Sequence, residues 1–347
     1  MIFSVLLRQQ KPCLWRLVLL SAIALSTTFG SQSSASENPL KVVHLLSTSP
    51  TFMRVLRYRA PLNMVDADGA VGVNRKKYEH AAAQRDVLWL VLRGLAEKNP
   101  QAIDDSIRGL EYGFQKMTGK GNFANGRNVS AKKAVGADAF FLQSYCRIRL
   151  LVGASSYRNR FSSRFDMMDA YLTTALSWLK SNKRELYRQD KKATNRLFFD
   201  ATAFALCGQI AADWEAVAIA KEFVEFGLAN QRSDGSFNEH GGSDSSYQAV
   251  SLLNIAELLG HMKSSKNRRV MKSAMLKGAE WELKRITPSG EVLAIGNTRT
   301  GVGKEGNKEI NYYEVVLMFF YLGHFLGDQK YVEVGTDISN YMILKLR

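Results

Sequence analysis

The sequence predicts an all-α fold, an (α/α) toroid or incomplete α/α barrel of helical hairpins, with an irregular N-terminal segment. Apolar residues recur at steps of three and four over most of the chain, which is the period of an amphipathic helix. Strand signals are poor outside one short stretch. The sequence AELLGH, ending at His261, is echoed by FYLGH, ending at His324, and a further helical pattern follows each. Such repeated helix pairs favour inner and outer helices that alternate around a ring, with an irregular helical bundle as the alternative.

The first 36 residues have the order of a secretory signal. Arg8, Lys11 and Arg16 are followed by a short apolar run over 17–25 and then by small residues. About nine apolar residues are too few to cross a bilayer. We therefore expect cleavage near Ala35 and a periplasmic or secreted protein that keeps no stable membrane anchor, with an uncleaved anchor as the alternative.

The segment 37–79 is predicted to be irregular because it contains Pro50 and Pro61 together with clustered arginines. The rest of the chain, 80–347, is predicted to form one helical domain. With 347 residues and 46% hydrophobic residues, the chain is long and apolar enough to bury a core, so a disordered protein is excluded.

Ten helices are predicted in the domain from 80 to 347. In the second of them, Ile103, Ile107, Leu110 and Phe114 share one face. The approximate helical ranges are 80–98, 101–117, 138–153, 165–182, 195–211, 213–229, 246–262, 267–285, 310–326 and 329–345. A short hairpin is expected within 286–295. In a toroid the loops that enter the inner helices open on one side, so polar clusters distant in sequence can meet in one cleft.

The charge balance favours an anionic partner. The formal net charge is +15 at pH 7, of which three charges lie in the signal region. An exported protein meets little nucleic acid, so we expect an acidic polysaccharide or oligosaccharide, or an anionic membrane face, and no nucleic-acid partner. A solvated basic surface without a partner is the alternative.

Two cysteines, Cys146 and Cys207, follow the signal region. Both lie among the apolar residues of predicted helices. In an oxidising compartment they can form a disulfide. Two buried free thiols are equally compatible with the pattern, so the sequence leaves both states open.

Three polar clusters precede or open apolar helices. The first is Asn195 with Arg196, the second is QRSDGSFNEHGGSDSSYQ at 231–248, and the third runs from 297 to 313. A turn followed by a helix start explains much of the second cluster, because DGS forms tight turns and Ser or Asp caps helices.

A turn does not require the three large polar residues Asn238, Glu239 and His240, which stand immediately before a glycine pair. His240 lies seven residues before Tyr247, a separation that a loop and one helical turn can fold into a common cleft. These four residues are therefore candidate site residues, although a lone histidine is as often structural.

The third cluster contains GNTRTGVGKEGNK, which is rich in glycine and basic residues. It is not a phosphate-binding loop, because Thr298 occupies the position of the first required glycine and Glu305 follows Lys304. We interpret it as a loop over the cleft, with Arg299 and Lys304 available to sugar carboxylates and Tyr312 at the following helix start. A packing role for Tyr312 is the alternative.

These residues resemble the alginate lyase superfamily of α/α-toroid polysaccharide lyases. The resemblance lies in DGS with an aromatic residue, a following glutamate, a basic residue, and a tyrosine seven positions later. TNRLFFDATAFALCGQI occupies the place of an Asn-Asn-His motif. On this resemblance Asn195 matches the asparagine and Tyr247 matches the tyrosine. Arg196 stands where histidine is expected and His240 where arginine is expected, so the two basic partners are exchanged.

The resemblance implies an exported lyase that cleaves a uronate-containing acidic glycan by β-elimination. Asn195 and Arg196 would neutralise the sugar carboxylate, and His240 would assist proton transfer. Tyr247 would act as base and then as acid. A phenol is a weak acid, so this role needs a neighbouring cation, for which Arg196, His240 and Arg299 are the candidates. The expected substrate-binding residues are Asn238, Glu239, Arg299, Lys304 and Tyr312.

Two other functions fit the same residues. A toroid glycoside hydrolase would use paired acids, with Glu239 and either Asp244 or Asp200 as candidates. A non-catalytic glycan-binding component of exopolysaccharide synthesis or export would need no reacting residue. Neither a metal nor a cofactor is expected, because the five histidines are scattered and none forms the close pair typical of zinc sites.

Overall fold

The structure is a computed structural model that describes residues 40–72, 80–123, 130–261 and 265–345. The predicted signal region lies outside the described residues. Fourteen helices are present in the described part: α1 (Leu40–Thr48), α2 (Pro50–Arg59), α3 (Ala81–Gln84), α4 (Val87–Ala96), α5 (Pro100–Gln115), α6 (Ala131–Ala154), α7 (Arg158–Ser181), α8 (Lys183–Asp190), α9 (Thr194–Ile210), α10 (Trp214–Ala229), α11 (Ser245–His261), α12 (Ser265–Leu283), α13 (Tyr312–Leu326) and α14 (Gln329–Lys345). None of these helices combines the length and the hydropathy of a membrane span.

Helices alternate between an inner and an outer layer. The inner helices α4, α6, α9, α11 and α13 contact one another in that order around a ring. Each is paired with an outer helix, α5, α7, α10, α12 or α14. The outer helix α10 buries only one face, which includes Ile219, Phe223 and Val224, whereas nearly all of α11 is buried. The inner layer therefore forms the core, and its few polar residues stand out.

The two N-terminal helices close the ring between α13 and α4. Both α1 and α2 contact α4 and α13, and Phe52 of α2 packs against Phe320 with ring centroids 5.2 Å apart. Arg59, the last residue of α2, lies over Trp89 and Tyr313, with its guanidinium carbon 5.5 and 5.8 Å from the two ring centroids. The seam is thus filled by aromatic and cationic contacts rather than left open.

The expectation of irregular structure over 37–79 is wrong for residues 40–59 and holds for residues 61–72, which form turns. Pro50 does not break a helix, because it occupies the first turn of α2, where no backbone N–H is needed. Ser49 caps the same helix by accepting a hydrogen bond from the N–H of Phe52 at 3.2 Å.

Two smaller differences have local causes. Helix α8 was not predicted, because KRELYRQD offers almost no apolar period. The hairpin expected within 286–295 is a turn closed by a single bridge between Ile286 and Val292. The described residues contain isolated bridges of this kind and no extended strand.

Cys146 on α6 and Cys207 on α9 form a disulfide, with Cα atoms 5.4 Å apart and 61 residues of separation. Both side chains are fully buried. The bond therefore connects two neighbouring inner helices inside the core.

Removing this disulfide is expected to lower the free energy of unfolding by about 4 kcal/mol, because a closed loop of this length restricts the unfolded chain. The measurement is urea denaturation of the Cys146→Ala/Cys207→Ala double variant against the oxidised protein. Adding a reductant should lower the free energy of unfolding of the wild-type protein towards that of the variant. The same reductant should leave the free energy of unfolding of the variant unchanged. Equal stability with and without the bond would contradict the prediction.

Candidate active site

A cavity of about 320 Å³ opens where the inner helices meet. All five inner helices contribute, and α9, α11 and α13 contribute residues from their first turns. Polar residues reach it from helices that are otherwise apolar, for example Gln143 and Arg147 on α6. A concave site where polar groups from several helices converge is a candidate small-molecule site.

The cavity wall is strongly cationic. It contains six basic residues, Arg59, Arg85, Arg147, Arg196, Arg299 and Lys308, and two acidic residues, Asp86 and Glu314. Carboxylates next to the cavity form ion pairs with several of these cations. Arg196 pairs with the buried Asp190 at 3.1 Å, and Arg147 pairs with Glu257. The excess of positive charge in a concave wall favours an anionic ligand.

Tyr247 lies in this wall, near the start of α11, and its side chain is 8% exposed. The guanidinium carbon of Arg299 lies 3.8 Å from the centroid of the phenol ring. The ammonium group of Lys308 donates a hydrogen bond to the phenol oxygen. Two positive charges therefore stand where negative charge would develop if the phenol oxygen exchanged a proton with a ligand.

The aspartate at the start of α11 joins the second and third polar clusters. Asp244 accepts hydrogen bonds from the N–H groups of Arg299 at 2.9 Å and Thr300 at 2.7 Å. It also accepts from the N–H of Tyr247 at 3.3 Å, which is a helix cap. The first cluster joins them through Thr194, whose hydroxyl donates to the carbonyl of Asn238 at 2.6 Å. The structure thus brings the three clusters together in one place.

Asn195 and Arg196 line the cavity beside Tyr247 and Arg299. The side-chain oxygen of Asn195 is buried and, within the described part of the chain, accepts no hydrogen bond. An unsatisfied polar atom in a cavity wall is costly unless a ligand or water completes it. Four of the residues predicted from the sequence, Asn195, Arg196, Tyr247 and Arg299, therefore share one cavity.

Glu239 lies behind this wall rather than in it. It is fully buried, and its two carboxylate oxygens accept hydrogen bonds from the N–H of Asn195 at 2.9 Å and from Arg299 at 3.0 Å. Burial raises the pKa of the Glu239 carboxyl to about 7, although the Asn195 amide and Arg299 oppose the rise. Its position suits it to hold Arg299 against Tyr247, not to contact a sugar.

The raised pKa of Glu239 predicts a stability that falls as pH rises. Its ordinary value is 4.5, so the folded state binds this proton more tightly than the unfolded state. The stabilisation is complete below about pH 4.5 and is lost as pH rises through about 7, a change of about 3 kcal/mol. Urea denaturation from pH 4.5 to 8 should show this slope, and Glu239→Gln should reduce it. An identical slope in the variant would contradict the prediction.

The structure does not bring the other predicted residues into the cavity. His240 is exposed, adopts a left-handed backbone conformation with φ of 52°, and donates its N–H to the carbonyl of Lys192 at 2.8 Å. Asn238 is half-buried and holds Thr194 through its backbone. Lys304 is exposed in a turn, and Tyr312 packs against Tyr341 with ring centroids 5.8 Å apart.

The acids considered for hydrolysis also lie outside the cavity wall. Asp200 is fully buried, and burial raises the pKa of its carboxyl well above the ordinary range. Asp244 is occupied by the hydrogen bonds that fix the loop. The carboxyl groups that do line the cavity are Asp86, which pairs with Arg59 at 3.1 Å, and Glu314. Burial raises the pKa of Glu314, although Arg85 and Arg59 oppose the rise.

Sequence reasoning missed Arg59, Arg85, Arg147, Lys308 and Glu314, all of which line the cavity. One signal was available for Arg147: it follows Gln143 by four residues inside a helix whose other positions are largely apolar. Polar residues at that spacing on a buried helix mark a face that meets something other than the core. Lys308 carried no comparable signal, because it is one of several cations in a loop.

No protein-family model matches the sequence, and no curated protein shows significant similarity to it. Several solved structures resemble the fold, among them the following two. One is described as a sugar epimerase from a ruminal bacterium, with a TM-score of 0.53, 10% identity, and coverage of 84% of this chain and 86% of that one. The other is described as glycosyl hydrolase family 88 from Bacteroides vulgatus, with a TM-score of 0.50, 12% identity, and coverage of 88% and 84%. These neighbours have the α/α-toroid fold, and the fold predicted from the sequence is confirmed.

Proposed function

We propose that the protein is an exported polysaccharide lyase that binds a uronate-containing glycan in the cationic cavity and cleaves it by β-elimination. The observation that carries the proposal is the position of Tyr247, whose phenol lies in the cavity wall in contact with both Arg299 and Lys308. The buried disulfide supports export, because such bonds persist in oxidising compartments. Both structural neighbours are described by names of sugar-acting enzymes.

In this mechanism the sugar carboxylate binds between Arg196 and Asn195, which line the cavity close to Tyr247. Neutralising that carboxylate makes the proton on the adjacent carbon more acidic, and the cations stabilise the enolate that forms. The free oxygen of Asn195 accepts a hydrogen bond from a sugar hydroxyl.

The oxygen of Tyr247 acts as the base that removes the proton from the carbon beside the carboxylate. The electron pair of that bond forms a double bond to the next carbon, whose bond to the glycosidic oxygen breaks. The departing glycosidic oxygen then accepts this proton from Tyr247, which returns the tyrosine to its starting state. The products are a new reducing end and an unsaturated uronate end.

Hydrolysis is the second candidate, because one neighbour is described as a glycosyl hydrolase and Glu314 offers a half-buried carboxyl in the cavity. Burial raises the pKa of Glu314, which suits a carboxylic acid that donates a proton to a leaving group. This reaction produces a reducing end without a double bond.

The test is incubation of the mature protein with a panel of acidic glycans, including polyuronates and mixed uronate polymers. Ultraviolet absorbance from unsaturated ends, appearing together with new reducing ends, supports elimination. New reducing ends without that absorbance support hydrolysis and overturn the lyase proposal. Saturable binding with neither product supports a non-catalytic glycan-binding protein and overturns both enzyme functions.

A further inference from the structure

A second cavity of about 280 Å³ adjoins the central one. The two cavities share Arg85, Asp86 and Phe140 as wall residues. The second cavity lies over the start of α3 and the side of α6, away from Tyr247. The predicted chemistry of the central site does not use it.

Small residues shape this second cavity. Its remaining wall contains Ala82, Ala83 and Ala137, which leave room beside Phe140, together with His80. The only side chains there with polar ends are His80, Arg85 and Asp86 among the described residues. The wall is thus mostly apolar, with a few polar groups on one side, which is the pattern of a ligand site.

Partly exposed aromatic rings stand where the two cavities meet. Phe140 on α6 and Phe199 on α9 have ring centroids 4.9 Å apart, and Phe199 lines the central cavity. Both rings are half-buried although they lie on inner helices, whose other large apolar residues are mostly buried. Flat aromatic faces offer apolar area to the C–H face of a sugar ring at small entropic cost.

Arg85 supplies positive charge at the same junction. Its guanidinium carbon lies 5.0 Å from the centroid of the Phe140 ring. Among the described residues, no carboxylate oxygen lies within 4.0 Å of this guanidinium group, in contrast to Arg59, Arg196 and Arg299. An aromatic face with a cation beside it fits a ring that carries a carboxylate.

We propose that the second cavity is a subsite for a third uronate residue of the same chain, next to the two residues that flank the cleaved bond in the central cavity, so that the protein binds an oligomer across both cavities. Phe140 carries the apolar face of that residue, Arg85 pairs with its carboxylate, and His80 contacts its hydroxyl groups. The ligand class rests on the proposed function, but the division into two subsites does not depend on whether the bound chain is cleaved.

The experiment measures dissociation constants by calorimetry for uronate oligomers of two, four and six residues. The wild-type protein is expected to bind the longer oligomers about tenfold more tightly than the dimer. The decisive variant is Ala83→Phe, because Ala83 lines only the second cavity and a phenyl ring would fill it. It should remove the gain with length while changing dimer binding by less than about twofold.

Ala154→Phe is the matched control, because Ala154 is exposed at the end of α6 and lines neither cavity. Melting temperatures would show that both variants fold. Affinity that does not depend on length, or a gain with length that persists in Ala83→Phe, would overturn the subsite. Length-dependent binding without any cleavage supports the subsite and overturns only the proposed enzymatic function.

Discussion

Tyr247→Phe is expected to lower the rate of glycan elimination by about 10²- to 10⁴-fold, the usual contribution of a positioned proton-transfer group. The phenyl ring keeps the apolar contacts of the tyrosine and its packing against Arg299. It loses only the oxygen that contacts Lys308. The KM for the glycan should therefore change little, and the loss should appear in kcat, measured from the ultraviolet absorbance of the products.

Tyr312→Phe is the matched control for this prediction. Tyr312 also stands at the start of an inner helix, but its ring packs against Tyr341 outside the cavity wall. The sequence predicted that it binds substrate, whereas the structure predicts nearly wild-type activity for the variant. An active Tyr247→Phe protein, or equal losses in both variants, would contradict the assignment of Tyr247.

Arg299→Met is expected to reduce the free energy of unfolding by about 3–5 kcal/mol at pH 8, because it leaves a buried carboxylate without its cation. Glu239 is fully buried and pairs with Arg299 at 3.0 Å. At pH 5 the loss should be much smaller, since burial raises the pKa of Glu239 to about 7 and the protonated acid needs no cation. Urea denaturation at the two pH values measures both effects.

Two further variants distinguish the loss of the Arg299–Glu239 ion pair from a general effect of losing a positive charge. Lys304→Met removes an exposed cation from the same loop and should change stability by less than about 0.5 kcal/mol. Combining Arg299→Met with Glu239→Gln should recover much of the loss at pH 8, because no buried charge remains. A loss that is the same at pH 5 and pH 8 would show that packing, not the ion pair, is responsible.

The ring architecture could be predicted from the sequence because it depends on local periodicity. The difference between an outer helix such as α10, with one apolar face, and an inner helix such as α11 is visible in the residues themselves. Helices α1 and α2 were missed because Pro50 was interpreted as a breaker, although a proline in the first turn favours a helix. The closure of the ring by these helices depends on contacts distant in sequence.

The candidate site was predictable in part for the same reason. Asn195, Arg196 and Tyr247 lie in the first turns of inner helices, so their helical positions place them at one end of the ring. Of the two cations beside Tyr247, Arg299 was among the candidates predicted from the sequence, whereas Lys308 was not, because the path of the loop decides which of its lysines reaches the phenol. That path is fixed by Asp244, which binds backbone N–H groups 55 and 56 residues away.

The position of Arg59 has a practical consequence for how the protein is produced. A researcher who trusts the irregular appearance of 37–79 would begin a recombinant form near residue 80. Such a form lacks α1 and α2, which close the ring between α13 and α4. It also lacks Arg59, which lies over Trp89 and Tyr313 and supplies one cation of the cavity wall. If such a shortened protein were inactive, the cause would be the open ring and not the lack of an enzymatic activity. Activity assays should therefore use a protein that retains residues 37–79.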